Sequence, residues 1–135
     1  MKLLKRVGFV LALALSFTTQ AWAQQVGVVS VATGSTGAVV ATMAAVPGFK
    51  NWICGFDVSG IGGTALVSPV TVAGTLTGSL VYQLPALAAA SGLVFSKSFT
   101  PCLPASAQNT AITVTTTADG TATAVDVQAW GYLTQ

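Results

Sequence analysis

The sequence predicts an all-β protein: an antiparallel β-sandwich of jelly-roll or Greek-key type, with about eight strands and one disulfide. Three observations predict it. Val, Thr, Ile and aromatic residues recur in short runs, and Gly, Pro, Asn and Asp interrupt those runs at short intervals. No long stretch beyond the N-terminal leader carries a helical period. The leader is followed by an even count of cysteines, Cys54 and Cys102, the usage of an exported domain with one disulfide.

The leader comes first in the chain. Lys2, Lys5 and Arg6 form a positive segment, Val7 to Phe17 an apolar one, and Ala21-Trp22-Ala23 offers the small residues that signal peptidase accepts. Residues 1–23 are therefore expected to be a cleaved secretory signal peptide, with Gln24 as the mature N-terminus. The apolar run is shorter than the roughly 20 residues of a membrane-spanning helix, and no cysteine follows the cleavage site to carry a lipid. The expected product is a secreted single domain over 24–135, extracellular, at the cell surface or periplasmic, with no stable membrane anchor.

The elements follow in order. A first strand is expected near 25–33, with Val26, Val28 and Ser30 on one face. A second runs near 37–46, after the turn Gly34-Ser35-Thr36-Gly37, and Pro47-Gly48 ends it. The third, 51–59, alternates Trp52, Cys54, Phe56 and Val58 with Asn51, Ile53, Gly55 and Asp57. Period two then points Cys54 into the core beside two aromatics. Gly60-Ile61-Gly62-Gly63 turns the chain.

Strands near 64–73 and 75–83 flank Gly74, and Pro69 argues for an edge or a bulge in the former. Residues 85–92, rich in Ala, suit one helical turn or a crossing between sheets. Leu93 to Phe99 reads as a strand. Thr100-Pro101-Cys102-Leu103-Pro104 reads as a rigid loop carrying the second cysteine. Thr110–Ala118 and Thr121–Leu133 flank Asp119-Gly120, a favoured hairpin pair. In the last strand Val125, Val127, Ala129, Gly131 and Leu133 share one face; Asp126, Gln128, Trp130 and Tyr132 share the other.

Composition bounds the function. Beyond the leader the chain keeps Lys50 and Lys97 against Asp57, Asp119 and Asp126, a formal charge of −1 rather than the +2 of the whole sequence. No basic patch is available for phosphates, so no nucleic-acid partner is expected. A surface made of Thr, Ser, Gln, Gly and Ala costs little to desolvate against a copy of itself, which points to a homo-oligomer or polymer.

Histidine and glutamate are absent. That removes the commonest general base and the commonest metal ligand, and no Ser–His–Asp or Cys–His set can be assembled. Two cysteines without histidine give no zinc spacing. No catalytic residue, cofactor or metal is therefore expected. Asp119 is assigned to a turn, and Asp57 and Asp126 are solvated strand residues within reach of Lys50 or Lys97.

Candidate interface residues are Val26, Val28, Trp130 and Tyr132. Trp130 and Tyr132 share a face, and such aromatics either plug a sandwich core, anchor a partner subunit or stack on a glycan. Gln24 to Val31 alternates apolar and polar residues, suiting an ordinary first strand or a strand added to a neighbour's sheet. Thr113-Val114-Thr115 and Thr121-Ala122-Thr123 fit exposed β-strand faces.

Gly55-Phe56-Asp57-Val58-Ser59-Gly60 with Pro69-Val70-Thr71-Val72, then Leu103 to Ala107, Asn109 to Val114 and Ala129-Trp130-Gly131-Tyr132, resembles small Thr/Ala/Gly-rich β-sandwich proteins of phage and prophage virions. The resemblance spans roughly 30–135 and implies a structural or surface-contact subunit without catalytic residues. The leader departs from it, since virion proteins assemble in the cytoplasm. The chain also shares length, one disulfide, a candidate donor strand and a Tyr near the C-terminus (Tyr132) with chaperone–usher pilins. The expected function is an exported structural subunit that self-associates into a filament, layer or matrix. The alternative is a monomeric secreted module that binds glycan or a cell surface.

Overall fold

The computed structural model describes residues 25–61, 69–84, 92–119 and 124–135. The expected signal peptide, the Gly62-Gly63 part of the turn after the third strand, the start of the 64–73 strand, nearly all of the 85–92 segment, Gly120 and Thr121-Ala122-Thr123 lie outside them. Eight strands form among the described residues: β1 Val26–Gly34, β2 Thr36–Met43, β3 Lys50–Ile61, β4 Val70–Thr75, β5 Gly78–Tyr82, β6 Gly92–Pro104, β7 Ile112–Asp119 and β8 Ala124–Thr134. They make two antiparallel four-stranded sheets, ordered β1-β8-β3-β6 and β2-β7-β4-β5. This interleaving is the jelly-roll order.

The alternating side chains explain why the sheets stack. Val39, Ala41 and Met43 of β2, Val70 and Val72 of β4, and Ile112 and Val114 of β7 are buried from one sheet. Ile53, Phe56 and Val58 of β3 and Val127 and Ala129 of β8 meet them from the other. Phe56 is the largest fully buried side chain. Its ring centroid lies 5.4 Å from Tyr82, 5.9 Å from Phe95 and 6.2 Å from Phe99, so aromatics close the gap between edge strands β5 and β6. Burying one such ring contributes up to about 3 kcal/mol. Lys97 lies over Tyr82, 5.8 Å from its centroid.

On the opposite side the chain passes from β1 to β2 through Ser35, and the Thr42 amide donates to Ser30 Oγ at 2.9 Å. Asn51 is the buried polar tie between the sheets. Its Nδ2 donates to the carbonyls of Met43, Ala44 and Thr110 at 3.3, 3.0 and 2.9 Å.

Five expectations are corrected. β7 and β8 do not form a hairpin: β7 pairs with β2 and β4, β8 with β1 and β3. Each is an interior strand whose two hydrogen-bonding edges are already taken, β7 by β2 and β4 and β8 by β1 and β3, so no edge is left for the two to pair with each other. Second, Thr100–Pro104 is not a loop, because β6 continues to Pro104 through a cis Thr100-Pro101 peptide. Third, the turn between β4 and β5 lies at Leu76-Thr77, where the Thr75 hydroxyl donates to the Gly78 carbonyl at 2.5 Å; Gly74 instead sits where the ladder shifts inside β4. Fourth, β4 is an inner strand rather than an edge, with Pro69 preceding it; of the two alternatives, edge or bulge, only an irregular ladder is found, between Val72 and Thr75.

The fifth concerns β3. Residues Ile53 and Gly55 pair with Gly131 and Trp130, consecutive residues of β8, so Cys54 is one residue too many. This bulge reverses the alternation. Asn51 and Ile53 point inward before it, and Phe56 and Val58 after it. Trp52 is therefore outside the core, and Cys54 is half-buried at the phase change. Opposite Cys54, β6 carries four residues, 99–102, between its paired positions Ser98 and Leu103. The Cys54–Cys102 disulfide joins the two irregular segments, with Cα atoms 4.3 Å apart.

Candidate functional site

The bulge builds an aromatic outer face. In register, Tyr132 lies between Gly27 and Trp52, Trp130 between Val29 and Gly55, and Gln128 between Val31 and Asp57. Trp52 and Tyr132 stack with ring centroids 5.8 Å apart and planes 11° from parallel. Trp52 Nε1 donates to Thr134 Oγ1 at 3.0 Å, which fixes the indole. The ring of Trp130 lies across Gly55, in the space that a Cβ there would take. Gly55 is thus the residue that lets an indole lie flat on the sheet. All three aromatics are half-buried.

Trp130 and Tyr132 thus belong to the outer face rather than to the core, because the inner positions of β8 are held by Val127, Ala129 and Leu133. Gly131 is inward too. A Cβ there would strike the Trp52 carbonyl oxygen and come within 2.9 Å of Met43 Cε. Val28 packs against the core, and Val26 is 46% exposed at the strand end. Val26 pairs with inward Leu133. The structure therefore brings Trp130 and Tyr132 together with Trp52, and places Val26 and Val28 on the opposite side of β1.

Trp52, Val29 and Val31 are the outer-face residues that sequence reasoning missed. Val29 and Val31 are each 62% exposed. Their signal was the unbroken alternation of β1. Trp52 was hidden by the bulge.

The rest of this face is polar and small. Asp126 accepts a hydrogen bond from the Thr33 hydroxyl at 2.5 Å. Asp57 sits on the outer side, in register with Ser96 and Gln128, whereas Lys97 turns to Tyr82 on the other side. Val94 stands 84% exposed at the β6 edge. On the outer face of the second sheet Val40, Thr115, Thr71 and Val81 form one row, and Thr42, Thr113 and Ala73 another. Chemically these are surfaces for dispersion, stacking and hydroxyl hydrogen bonds. Among the described residues there is no group of three or more Asp, Glu, His or Cys that holds a metal ion.

Comparison with protein-family models, with curated proteins and with solved structures finds no match. No helix among the described residues is long and apolar enough to cross a membrane. The disulfide fits an oxidising extracellular or periplasmic setting.

Proposed function

We propose that this chain is an exported, non-catalytic structural subunit that self-associates into an extracellular filament, layer or matrix, on a scaffold like that of virion sandwich proteins. The observation that carries the reading is the chemistry of the two outer faces. One presents Val29, Val31, Trp52, Trp130 and Tyr132, the other rows of Val and Thr. Burying exposed apolar surface favours association, and the near-absence of charge removes the repulsion that keeps copies apart.

Negative-stain electron microscopy and light scattering of the secreted protein test it. Ordered fibres, sheets or closed oligomers are expected. A monomer at high concentration overturns the reading.

The parallel Trp52 and Tyr132 rings beside Trp130 favour one second reading, a monomeric module that stacks a glycan on this face. Glycan-array binding by a monomer, lost in Trp130→Ala with the fold intact, is its expected signature. Its absence removes that reading.

A further inference from the structure

We propose that the free edge of β1 is the seam between copies, with β1 of a second copy lying antiparallel against it so that the two sheets become one of eight strands. This rests on the self-associating reading above and specifies where the copies meet. It differs from donor-strand exchange, because β1 stays paired with its own β8.

The four edge strands of the described sheets differ in how they are protected. Half of the backbone N–H and C=O groups of an edge strand face away from its one neighbour, and soluble proteins blunt such edges with shortness, bulges, prolines or charge. β5 has five residues and an irregular register with β4. β6 carries Lys97, Pro101 and Pro104, and its ladder breaks opposite Cys54. On β2 the outward Thr42 amide is already taken by Ser30 Oγ. β1 has none of these devices. Its nine residues pair with β8 from Val26 to Gly34 without a shift, and it holds no proline and no charged side chain. Nothing among the described residues pairs with its outer edge.

The same features make the edge self-complementary. A two-fold antiparallel β1–β1 pair opposes uncharged residues throughout and sets the exposed Val29 and Val31 of one copy among those of the other on the same face. The aromatic face of one copy then continues into that of the next.

The test is amide hydrogen exchange, read residue by residue by NMR, on the full secreted chain assembled and diluted to monomer. Every second amide between 26 and 34 should slow by roughly tenfold or more on assembly, as an added ladder requires. In parallel, Val29→Lys with Val31→Lys should raise the dissociation constant by about tenfold or more while the melting temperature holds, and Leu76→Lys in the exposed turn after β4 should leave assembly unchanged. Unaltered β1 exchange overturns the seam, whether or not the lysine variant folds. Loss of assembly in Leu76→Lys alone overturns the seam but keeps self-association. A wild-type chain that stays monomeric overturns both.

Discussion

At Gly131 a single methyl group decides how closely β8 can approach β3. Its Cβ would collide with the carbonyl oxygen of Trp52, a backbone atom that cannot rotate away. Gly131→Ala is expected to lose about 1–3 kcal/mol, the usual range for overpacking, read as a lower urea midpoint at constant slope. Asn51 is the second such residue. Asn51→Leu leaves three carbonyls without their donor, at a cost of about 1–3 kcal/mol; an unchanged midpoint would contradict its role as a tie. Burial raises the pKa of the Tyr82 phenol above the ordinary value of 10.0. The unfolded chain then loses that proton first, so this contribution to stability is whole below about pH 10 and falls as pH rises toward the folded value. Tyr82→Phe should flatten that part of the alkaline unfolding profile.

Among the elements, β3 and β6 are held together by the disulfide where their ladder fails. Cys54 and Cys102 are 48 residues apart, and on chain-entropy grounds removing the bridge costs about 4 kcal/mol. Cys54→Ala with Cys102→Ala should lower the melting temperature markedly; calorimetry checks it. The same region shows where the sequence was legible. The strand number, the sandwich and the cysteine pairing followed from alternation, turn residues and an even cysteine count. The grouping of β8 into two faces followed too, since its period is unbroken, but not which of the two turns inward. The phase of β3 did not, because a bulge adds a residue without a compositional mark, and only Gly55 hinted at it. Nor did the partners of β7 and β8: a strand pair that stacks and one that hydrogen-bonds share the same alternation, and Asp119-Gly120 suits either.

For the whole molecule, the sparse charge makes a prediction about solution behaviour. Assembly should survive a change from about 0.05 M to about 1 M sodium chloride, since few ion pairs exist to screen, and sulfate should strengthen it; sedimentation at each salt measures this. Dissociation by chloride would point to charge instead of apolar contact. The outward chemistry of the candidate site was only half legible for the same reason as β3, because Trp52 joins Tyr132 only after the bulge. The pairing of β1 with β8 also governs the order of events during synthesis. Val28 meets Gly131, a residue made about a hundred positions later, and contacts so distant slow folding. β8 is an interior strand of its sheet, so a nascent chain still lacking it has no site for β1 and an open side on β3. Until β8 has left the ribosome the first sheet cannot close, and the strands made before it stay without their central partner.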